Sequence, residues 1–448
     1  MLKDAWTLAI ETLSQIELQK LSERLALIRL TKQLGISNPD AVRYAYGLIV
    51  ETVRKKNLID KFINSVLQPK TLSELSLGVQ SFLRLYVYQT RVAKNWVEPD
   101  LQEAARIAKL ARAIIGWKTL RVVEPYLGFL LTRKIEPIVK TATDEERTAL
   151  STYHPTWFVD YCFKLFGRKE AIAFLEGNVY PPPAFVRLNT LKASQEEILV
   201  KLDADGVKLE KTGSLKHAYK VTQGKQPLTK TTSYQEGLFY VQDKASCFAA
   251  EVADPKPGMT VFDVCAAPGA KTTYLAQLMQ NQGAVYSVDY SARRMKMWKQ
   301  ETHRMGNAIA VPVIADARSP LPVNVEADVA VLDPPCTSTG VFGRVPSAKW
   351  RLSKKSIEKM AEIQWQMINN IAGNVKPGGV LAYSTCSVTV EENEMVIERF
   401  LKWHPEFSLT EITPKLGLPG LRGLTKCQRL YPHIHESNGF FIAKLRKE

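Results

Sequence analysis

The chain has 448 residues, too many for one ordinary domain, and its 45% apolar and 23% charged residues exclude a disordered protein. Lysine and arginine outnumber aspartate and glutamate by 60 to 45, and the net charge of +15 favours a nucleic-acid partner over a merely solvated basic surface. The six cysteines form no C-x-x-C pair and no Cys/His zinc spacing, which argues against a disulfide framework and a structural metal site.

The apolar residues give no sign of a membrane protein. No uninterrupted apolar run is long enough to cross a bilayer, and the stretch Trp6 to Ile10 is too short and too interrupted by charge for a signal peptide. We therefore expect a cytoplasmic protein that has no membrane partner and acts as a monomer.

The first third of the chain has helical periodicity. Apolar residues recur at helical spacing from Leu21 to Leu30, and Leu101 to Ile115 is amphipathic with basic residues on its polar side. Glycine and proline are sparse before Pro125, which favours long helices joined by short loops. We predict an all-helical domain over residues 1–142, whose exposed basic side chains either contact phosphates or are simply solvated.

A shorter, mixed region follows. Thr143, with Glu146 three residues later, has the spacing of a helix-capping box. The three prolines at 181–183 indicate a loop. Beyond them we predict a strand at 185–189, a helix at 195–202 and a strand at 207–209. Residues 143–236 are therefore predicted to form a small α+β region that links two larger domains and contacts RNA.

Strands alternate with amphipathic helices in the last part of the chain. The predicted strands are Thr260 to Val264, Ala284 to Val288, Ala308 to Val313, Ala327 to Leu332, Gly379 to Tyr383 and Gly439 to Lys444. Such alternation implies right-handed crossovers and a largely parallel sheet. We predict that residues 237–448 form an α/β, Rossmann-like domain.

The first of these strands leads into a loop of small residues. The loop Cys265-Ala266-Ala267-Pro268-Gly269-Ala270-Lys271 precedes a helix, and it matches neither the P-loop nor the strict G-x-G-x-x-G spacing. Asp289 ends the next strand and Asp316 follows the third; an acid at the first of these places commonly binds ribose hydroxyls. The pattern predicts an adenosine-type cofactor, with a tight turn and two helix-capping aspartates as the alternative.

Two cysteines follow buried strands at the same predicted edge of the sheet. Cys336 belongs to Asp333-Pro334-Pro335-Cys336, and Cys386 follows the strand ending at Tyr383. Ligands collect at the carboxyl ends of parallel strands, and two thiols there indicate nucleophilic chemistry on an electrophilic carbon. Asp333 is placed to hold a ring or amino proton of a base. The alternative to a catalytic role, for any single cysteine, is that it packs in the core as a small apolar residue.

Together these motifs resemble the RNA (cytosine-5)-methyltransferases over roughly the C-terminal two-thirds of the chain. The resemblance rests on residues 263–272, Asp289, Asp316, 333–336 and 385–387, and extends to 187–192, 237–250, 339–341 and Lys349-Trp350. The helical first third resembles a NusB-like RNA-binding domain, and the layout is similar to the RsmB (Sun/Fmu) branch. Ala270 departs from the family, whose loop usually carries a second glycine there.

The resemblance implies a cofactor, a substrate and roles for the residues. S-adenosylmethionine would be wrapped by residues 265–271, with Asp289 at its ribose, Asp316 at its adenine, and Arg294 and Asp333 also in contact. Cys386 would add to carbon 6 of a cytosine, Cys336 would help remove the carbon-5 proton and release the enzyme, and Asp333 would hold the base. The implied substrate is RNA, with small-subunit ribosomal RNA favoured and transfer RNA possible.

Two other functions remain open. An amino-group methyltransferase also uses an Asp-Pro-Pro loop, although it typically carries an aromatic residue where Cys336 stands and would leave Cys386 idle. A non-catalytic RNA-binding or assembly factor could share the scaffold, in which case S-adenosylmethionine would not bind.

Overall fold

The computed structural model describes residues 1–448, which divide into two compact units. Unit 1 comprises Met1–Tyr180 and Phe342–Arg351, and unit 2 comprises Pro181–Val341 and Leu352–Glu448. No helix in either unit is both long enough and apolar enough to span a bilayer.

The α-helices are numbered in chain order. They are α1 (Leu2–Gln19), α2 (Glu23–Leu34), α3 (Pro39–Arg54), α4 (Lys56–Leu67), α5 (Leu77–Thr90), α6 (Leu101–Ile115), α7 (Trp117–Leu120), α8 (Glu124–Thr132), α9 (Glu136–Lys140), α10 (Asp144–Thr152), α11 (Thr156–Phe166), α12 (Arg168–Gly177), α13 (Gln195–Ala204), α14 (Thr232–Gln235), α15 (Lys244–Ala253), α16 (Ala270–Leu278), α17 (Ala292–Arg304), α18 (Ala348–Arg351), α19 (Lys354–Ala372), α20 (Glu394–Trp403) and α21 (Pro432–His435).

Unit 1 is helical, as the periodicity of its sequence predicts. Helix α1 packs against α2, α3 and α5, and the apolar faces meet around the buried rings of Trp6, Phe62 and Phe82. Thr143 caps α10 by accepting a hydrogen bond from the backbone N–H of Glu146 at 3.3 Å. The Glu146 carboxylate pairs with Lys61, so it ties α10 to α4.

Ten residues from the second half of the sequence belong to unit 1. In this segment, Phe342–Arg351, the backbone N–H of Ser347 donates to Glu23 Oε1 at 2.5 Å, and Trp350 Nε1 donates to the Val53 carbonyl at 2.7 Å. Both bonds are long-range, so nothing in the local sequence pattern indicates them.

The strands are also numbered in chain order. They are β1 (Phe185–Leu188), β2 (Val207–Lys211), β3 (Ala218–Gly224), β4 (Phe239–Val241), β5 (Thr260–Val264), β6 (Ala284–Asp289), β7 (Ala310–Ile314), β8 (Ala327–Leu332), β9 (Val375–Thr385), β10 (Phe407–Leu409), β11 (Leu418–Pro419), β12 (Gln428–Leu430) and β13 (Phe440–Lys447).

Unit 2 contains a small antiparallel sheet and a large mixed one. The small sheet has the order β2-β3-β1-β4, and α13 packs on it. The sequence predicts β1, α13 and β2. It does not predict β3, which is exposed towards its end, or β4, which has only three residues.

The large sheet confirms the predicted Rossmann-like α/β fold. Its order is β11-β12-β13-β9-β8-β5-β6-β7, in which β9, β8, β5, β6 and β7 run parallel and β13 joins β9 antiparallel. The chain runs from β5 to β6 and β7 and then returns to β8 on the other side of β5. The carboxyl ends of β5 and β8 therefore flank the topological switch point, where ligands bind in open α/β sheets.

Candidate active site

The loop after β5 has a backbone that only small residues accommodate. Cys265 has φ +68°, and Gly269, just before α16, has φ +110°. A Cβ at Gly269 would lie 3.3 Å from Trp298 Cδ1, so α17 packs closely against the loop. The Ala266 N–H donates to the Val288 carbonyl at 3.0 Å, which fixes the loop to the end of β6.

Asp289, at the end of β6, lies against this loop as predicted. Its carboxylate accepts from the Ala267 N–H at 3.2 Å and from the Ser291 N–H at 3.0 Å. Arg294 Nη1 lies 3.1 Å from Asp289 Oδ2, and another Arg294 nitrogen donates to the Ala267 carbonyl. The structure thus joins Asp289, Arg294 and Ala267 in one cluster.

Asp316 follows β7 and has a different set of partners. Arg318 binds its carboxylate through both the side chain and the backbone N–H, and these hydrogen bonds lower the pKa of Asp316. The side chain is 39% exposed. Its hydrogen bonds join it to its own loop rather than to the Asp289 cluster.

Lys271 and Asp333 meet at the switch point. Lys271 comes from the first turn of α16, Asp333 follows β8, and Lys271 Nζ also lies 3.3 Å from Ser246 Oγ. Asp263, within β5, is fully buried, and burial raises its pKa to about 6 although the Thr272 hydroxyl donates to it at 2.5 Å. Sequence reasoning did not single out the environment of Asp263.

The two predicted thiols lie together. The Sγ atoms of Cys336 and Cys386 are 3.1 Å apart, and Cys386 Sγ is 3.7 Å from Ser338 Oγ. The hydrogen bond with Cys386, followed by burial, raises the pKa of the Cys336 thiol well above its ordinary value. Cys336 therefore holds its proton more tightly than an ordinary thiol does. Burial also raises the pKa of Cys265, which suits a packing role.

Sequence reasoning missed two buried residues that support these loops. Arg187 in β1 is fully buried and donates to the Ala270 carbonyl and to Thr273 Oγ1, each at 2.9 Å, so it holds the start of α16. Burial lowers the pKa of Arg187 to about 10. Glu392 is fully buried between the two cysteine loops. The only signal for Glu392 is an acidic pair, 391–392, shortly after Cys386.

The residues at the switch point fit S-adenosylmethionine. Its ribose diol needs an acceptor such as Asp289, and a charged amino-acid tail needs close backbone groups, which the small side chains of residues 265–270 leave accessible. When bound, the cofactor supplies an electrophilic methyl group.

The chain is similar over its whole length to a bacterial enzyme. The probable ribosomal RNA small subunit methyltransferase B of Bacillus subtilis is 30% identical over 454 residues, which cover 98% of this chain and 98% of that protein. This chain belongs to the RsmB/F family of RNA cytosine-5 methyltransferases.

Family models match this RsmB/F protein in three parts. Residues 250–446 match the 16S rRNA methyltransferase RsmB/F model, residues 154–226 match the RsmF/B ferredoxin-like domain, and residues 3–113 match the NusB family. The predicted family, the NusB-like first part and S-adenosylmethionine as cofactor are thereby confirmed.

Two further matches differ in how much of the RsmB/F protein they cover. The crystal structure of PH0851 is 31% identical with a TM-score of 0.84, and the match covers 100% of this chain and 99% of that one. The tRNA (cytosine(72)-C(5))-methyltransferase of Pyrococcus horikoshii is 37% identical over 220 residues, covering 49% of this chain and 55% of that protein.

Proposed function

We propose that the protein methylates carbon 5 of one cytosine in small-subunit ribosomal RNA through a covalent adduct with Cys386. The observation that carries the proposal is the thiol pair, 3.1 Å apart, at the same sheet edge as the Lys271–Asp333 ion pair. An amino-group methyltransferase would have no use for the second thiol.

The extent of the similarities favours ribosomal RNA over transfer RNA. The Bacillus subtilis relative, described as a small-subunit ribosomal RNA enzyme, matches both units of this chain. The Pyrococcus horikoshii relative, described as a transfer RNA enzyme, matches only about half of it. The net charge of +15 suits either RNA and does not distinguish them.

In this proposal Cys386 overcomes the low nucleophilicity of carbon 5. The Cys386 thiolate donates an electron pair to carbon 6 of cytosine, which makes carbon 5 enamine-like and able to take a methyl group. The Asp333 carboxylate accepts a hydrogen bond from the amino group of the cytosine, next to ring nitrogen 3, and Lys271 fixes the orientation of that carboxylate. The target base must be unstacked to reach the thiol, so the substrate is a loop or locally opened RNA.

Cys336 acts in the release step. In its thiolate form, after giving its proton to water, it takes the proton from carbon 5. The electrons of that C–H bond re-form the 5,6 double bond as the bond between carbon 6 and Cys386 Sγ breaks. Burial also raises the pKa of the Cys336 thiol, and this cause does not depend on Cys386, so the Cys336 thiolate is a stronger base for this transfer.

The test is to incubate Cys336→Ala with S-adenosylmethionine and total cellular RNA, followed by a denaturing gel and sequencing of RNA that co-migrates with protein. We expect a trapped adduct whose sequence identifies a small-subunit ribosomal RNA cytosine. Cys386→Ala should give no adduct and no methylation. Cys427→Ala, which changes a buried thiol in the core of unit 2, is the matched control and should methylate normally.

The alternatives predict different outcomes of the same experiment. If the trapped adducts contain only transfer RNA, the substrate is transfer RNA and the proposal of ribosomal RNA is wrong. Equal behaviour of Cys336→Ala and Cys386→Ala would overturn the roles of the two thiols. A protein that binds no S-adenosylmethionine and methylates no RNA would be an assembly factor.

A further inference from the structure

Glu392 is a buried carboxylate that accepts five hydrogen bonds. Its Oε1 accepts from the Thr337 N–H at 2.8 Å and from Gln364 Nε2 at 3.0 Å. Its Oε2 accepts from the hydroxyls of Ser387 at 2.7 Å, Thr389 at 2.8 Å and Thr337. The Glu392 side chain is fully buried, and all five donor groups are neutral.

Four of the five donors come from the two loops that carry the thiols, and the fifth, Gln364 Nε2, comes from α19. Thr337 directly follows Cys336, and Ser387 directly follows Cys386. One carboxylate therefore links the residues that directly follow the two cysteines in the sequence. Such a link fixes the loops relative to each other from one side of the thiol pair.

The chemistry of a carboxylate explains why glutamate occupies this position. Two ionised oxygens offer about four lone-pair sites and no donor, whereas an amide of the same shape offers one acceptor oxygen and a donating nitrogen. Burying a negative charge without a cation is costly unless many hydrogen bonds compensate. A bridge between neutral donor groups does not need that charge unless the separation of the two loops has to be held closely.

Other contacts join the same loops but lie further along the first one. The Gly340 N–H donates to the Cys386 carbonyl at 3.0 Å, and the hydroxyls of Thr339 and Ser387 are 2.8 Å apart. These contacts keep the loops together when Glu392 is replaced. The position of Cys336 then depends on the Glu392 contacts with Thr337 on one side and, on the other, on the hydrogen bond from Gln364 Nε2 to the Pro335 carbonyl at 2.9 Å.

We propose that Glu392 is a positioning residue that sets the separation of Cys336 and Cys386 and thereby controls release of the methylated RNA from Cys386. The inference rests on the proposed function for its role in release, but the separation of the thiols can be measured without RNA or cofactor. Adduct formation needs only the Cys386 thiolate. Release needs both sulfur atoms at one pyrimidine ring, so it is more sensitive to their separation.

The first measurement is capture of the thiol pair by phenylarsine oxide in the free, full-length protein. One arsenic(III) atom bonds both sulfurs with loss of one water, which requires the sulfurs to be held near each other. The affinity is measured by competition with 2,3-dimercaptopropanol. We expect Glu392→Gln to bind about tenfold more weakly than wild type, as for the loss of one hydrogen bond to a charged group. Thr389→Val, a milder change that removes one donor, should fall between the two.

Glu251→Gln is the matched control because Glu251 is another buried glutamate of unit 2, hydrogen-bonded to Tyr274 and to the Lys216 N–H. Its arsenical affinity should equal that of wild type. Wild-type affinity in Glu392→Gln, or a wild-type protein that does not hold the arsenical through both thiols, would overturn the proposal.

The second measurement is the fraction of protein in denaturation-resistant RNA adduct during turnover. We expect Glu392→Gln to accumulate adduct, which is also the result expected for Cys336→Ala, whereas a general loss of folding would lower adduct and methylation together. Weaker arsenical binding without adduct accumulation would overturn the control of release. If Cys336→Ala also gives no adduct, the proposed function fails, while the arsenical result still decides whether Glu392 positions the thiols.

Discussion

Lys271 Nζ lies 2.5 Å from Asp333 Oδ2, so the first turn of α16 is tied to the first residue after β8. Burial disfavours the charged ammonium, but the negative charge of Asp333 and the hydrogen bond outweigh burial and raise the pKa of Lys271. The cation therefore persists at neutral pH, and it orients the carboxylate that is proposed to hold the base.

Replacing Lys271 by methionine should lower the methylation rate. The variant keeps much of the side-chain length but leaves Asp333 without its cation, and we expect kcat to fall about 30-fold, or roughly 2 kcal/mol. Lys256→Met is the control, because the Lys256–Asp254 pair is exposed and should contribute little. The transfer of labelled methyl groups to RNA measures kcat for both variants. An unchanged kcat in Lys271→Met would contradict the orienting role of Lys271.

Alkylation of Cys336 should depend on Cys386. The thiolate is the reacting form, and the pKa of Cys336 is raised first by its hydrogen bond with Cys386 and second by burial. In Cys386→Ala the first cause is removed, so the midpoint of iodoacetamide labelling at Cys336 should move to lower pH. Peptide mass spectrometry across pH 7 to 10 measures the midpoint. The same midpoint in both proteins would mean that the thiols do not interact.

The buried Asp263 should make stability depend on pH in a defined direction. Burial raises its pKa from 3.8 to about 6 in the folded protein. Its contribution to stability is therefore fully present below pH 3.8 and is lost as pH rises through 6. The difference in free energy of unfolding between wild type and Asp263→Asn should change by roughly 2 kcal/mol in favour of wild type from pH 7 to pH 4.

Urea titrations between pH 4 and pH 7 measure the free energy of unfolding of wild type and Asp263→Asn. Asp316→Asn is the control, because its effect on this free energy should change with pH in the opposite direction. The pKa of Asp316 is lowered by its hydrogen bonds to Arg318, so its contribution is present at neutral pH and is lost as pH falls. Parallel pH curves for wild type and Asp263→Asn would show that the Asp263 carboxyl titrates at its ordinary value.

Gly269→Ala should weaken S-adenosylmethionine binding. The φ of +110° is strained for alanine, and the added Cβ would meet Trp298 at 3.3 Å, so the loop must shift. We expect a loss of roughly 1–2 kcal/mol in stability and about tenfold in affinity. Calorimetric titration measures the affinity. Gly423→Ala has φ +82° and open space around it, so it reproduces the backbone strain and should leave affinity unchanged.

The α/β architecture, and the edge of the sheet at which the predicted site residues lie, could be predicted from the order of residues. Strand and helix periodicities are local signals, and parallel strands necessarily bring their carboxyl ends to one edge. The predicted site residues lie at or just after the carboxyl ends of strands, so their convergence could be predicted; they are 265–271, Asp289, Asp333, Cys336 and Cys386. Their chemical roles remain predictions.

Contacts between residues that are far apart in the sequence could not be predicted and became visible in the folded chain. Phe342–Arg351 belongs to unit 1 because its side chains and backbone meet residues such as Glu23, more than 300 positions away. Glu392 lies two residues before α20 in the sequence, yet its hydrogen bonds make it a bridge between the thiol loops. Hydrogen bonds of a buried carboxylate are set by which groups folding brings around it, and residue order along the chain does not specify them.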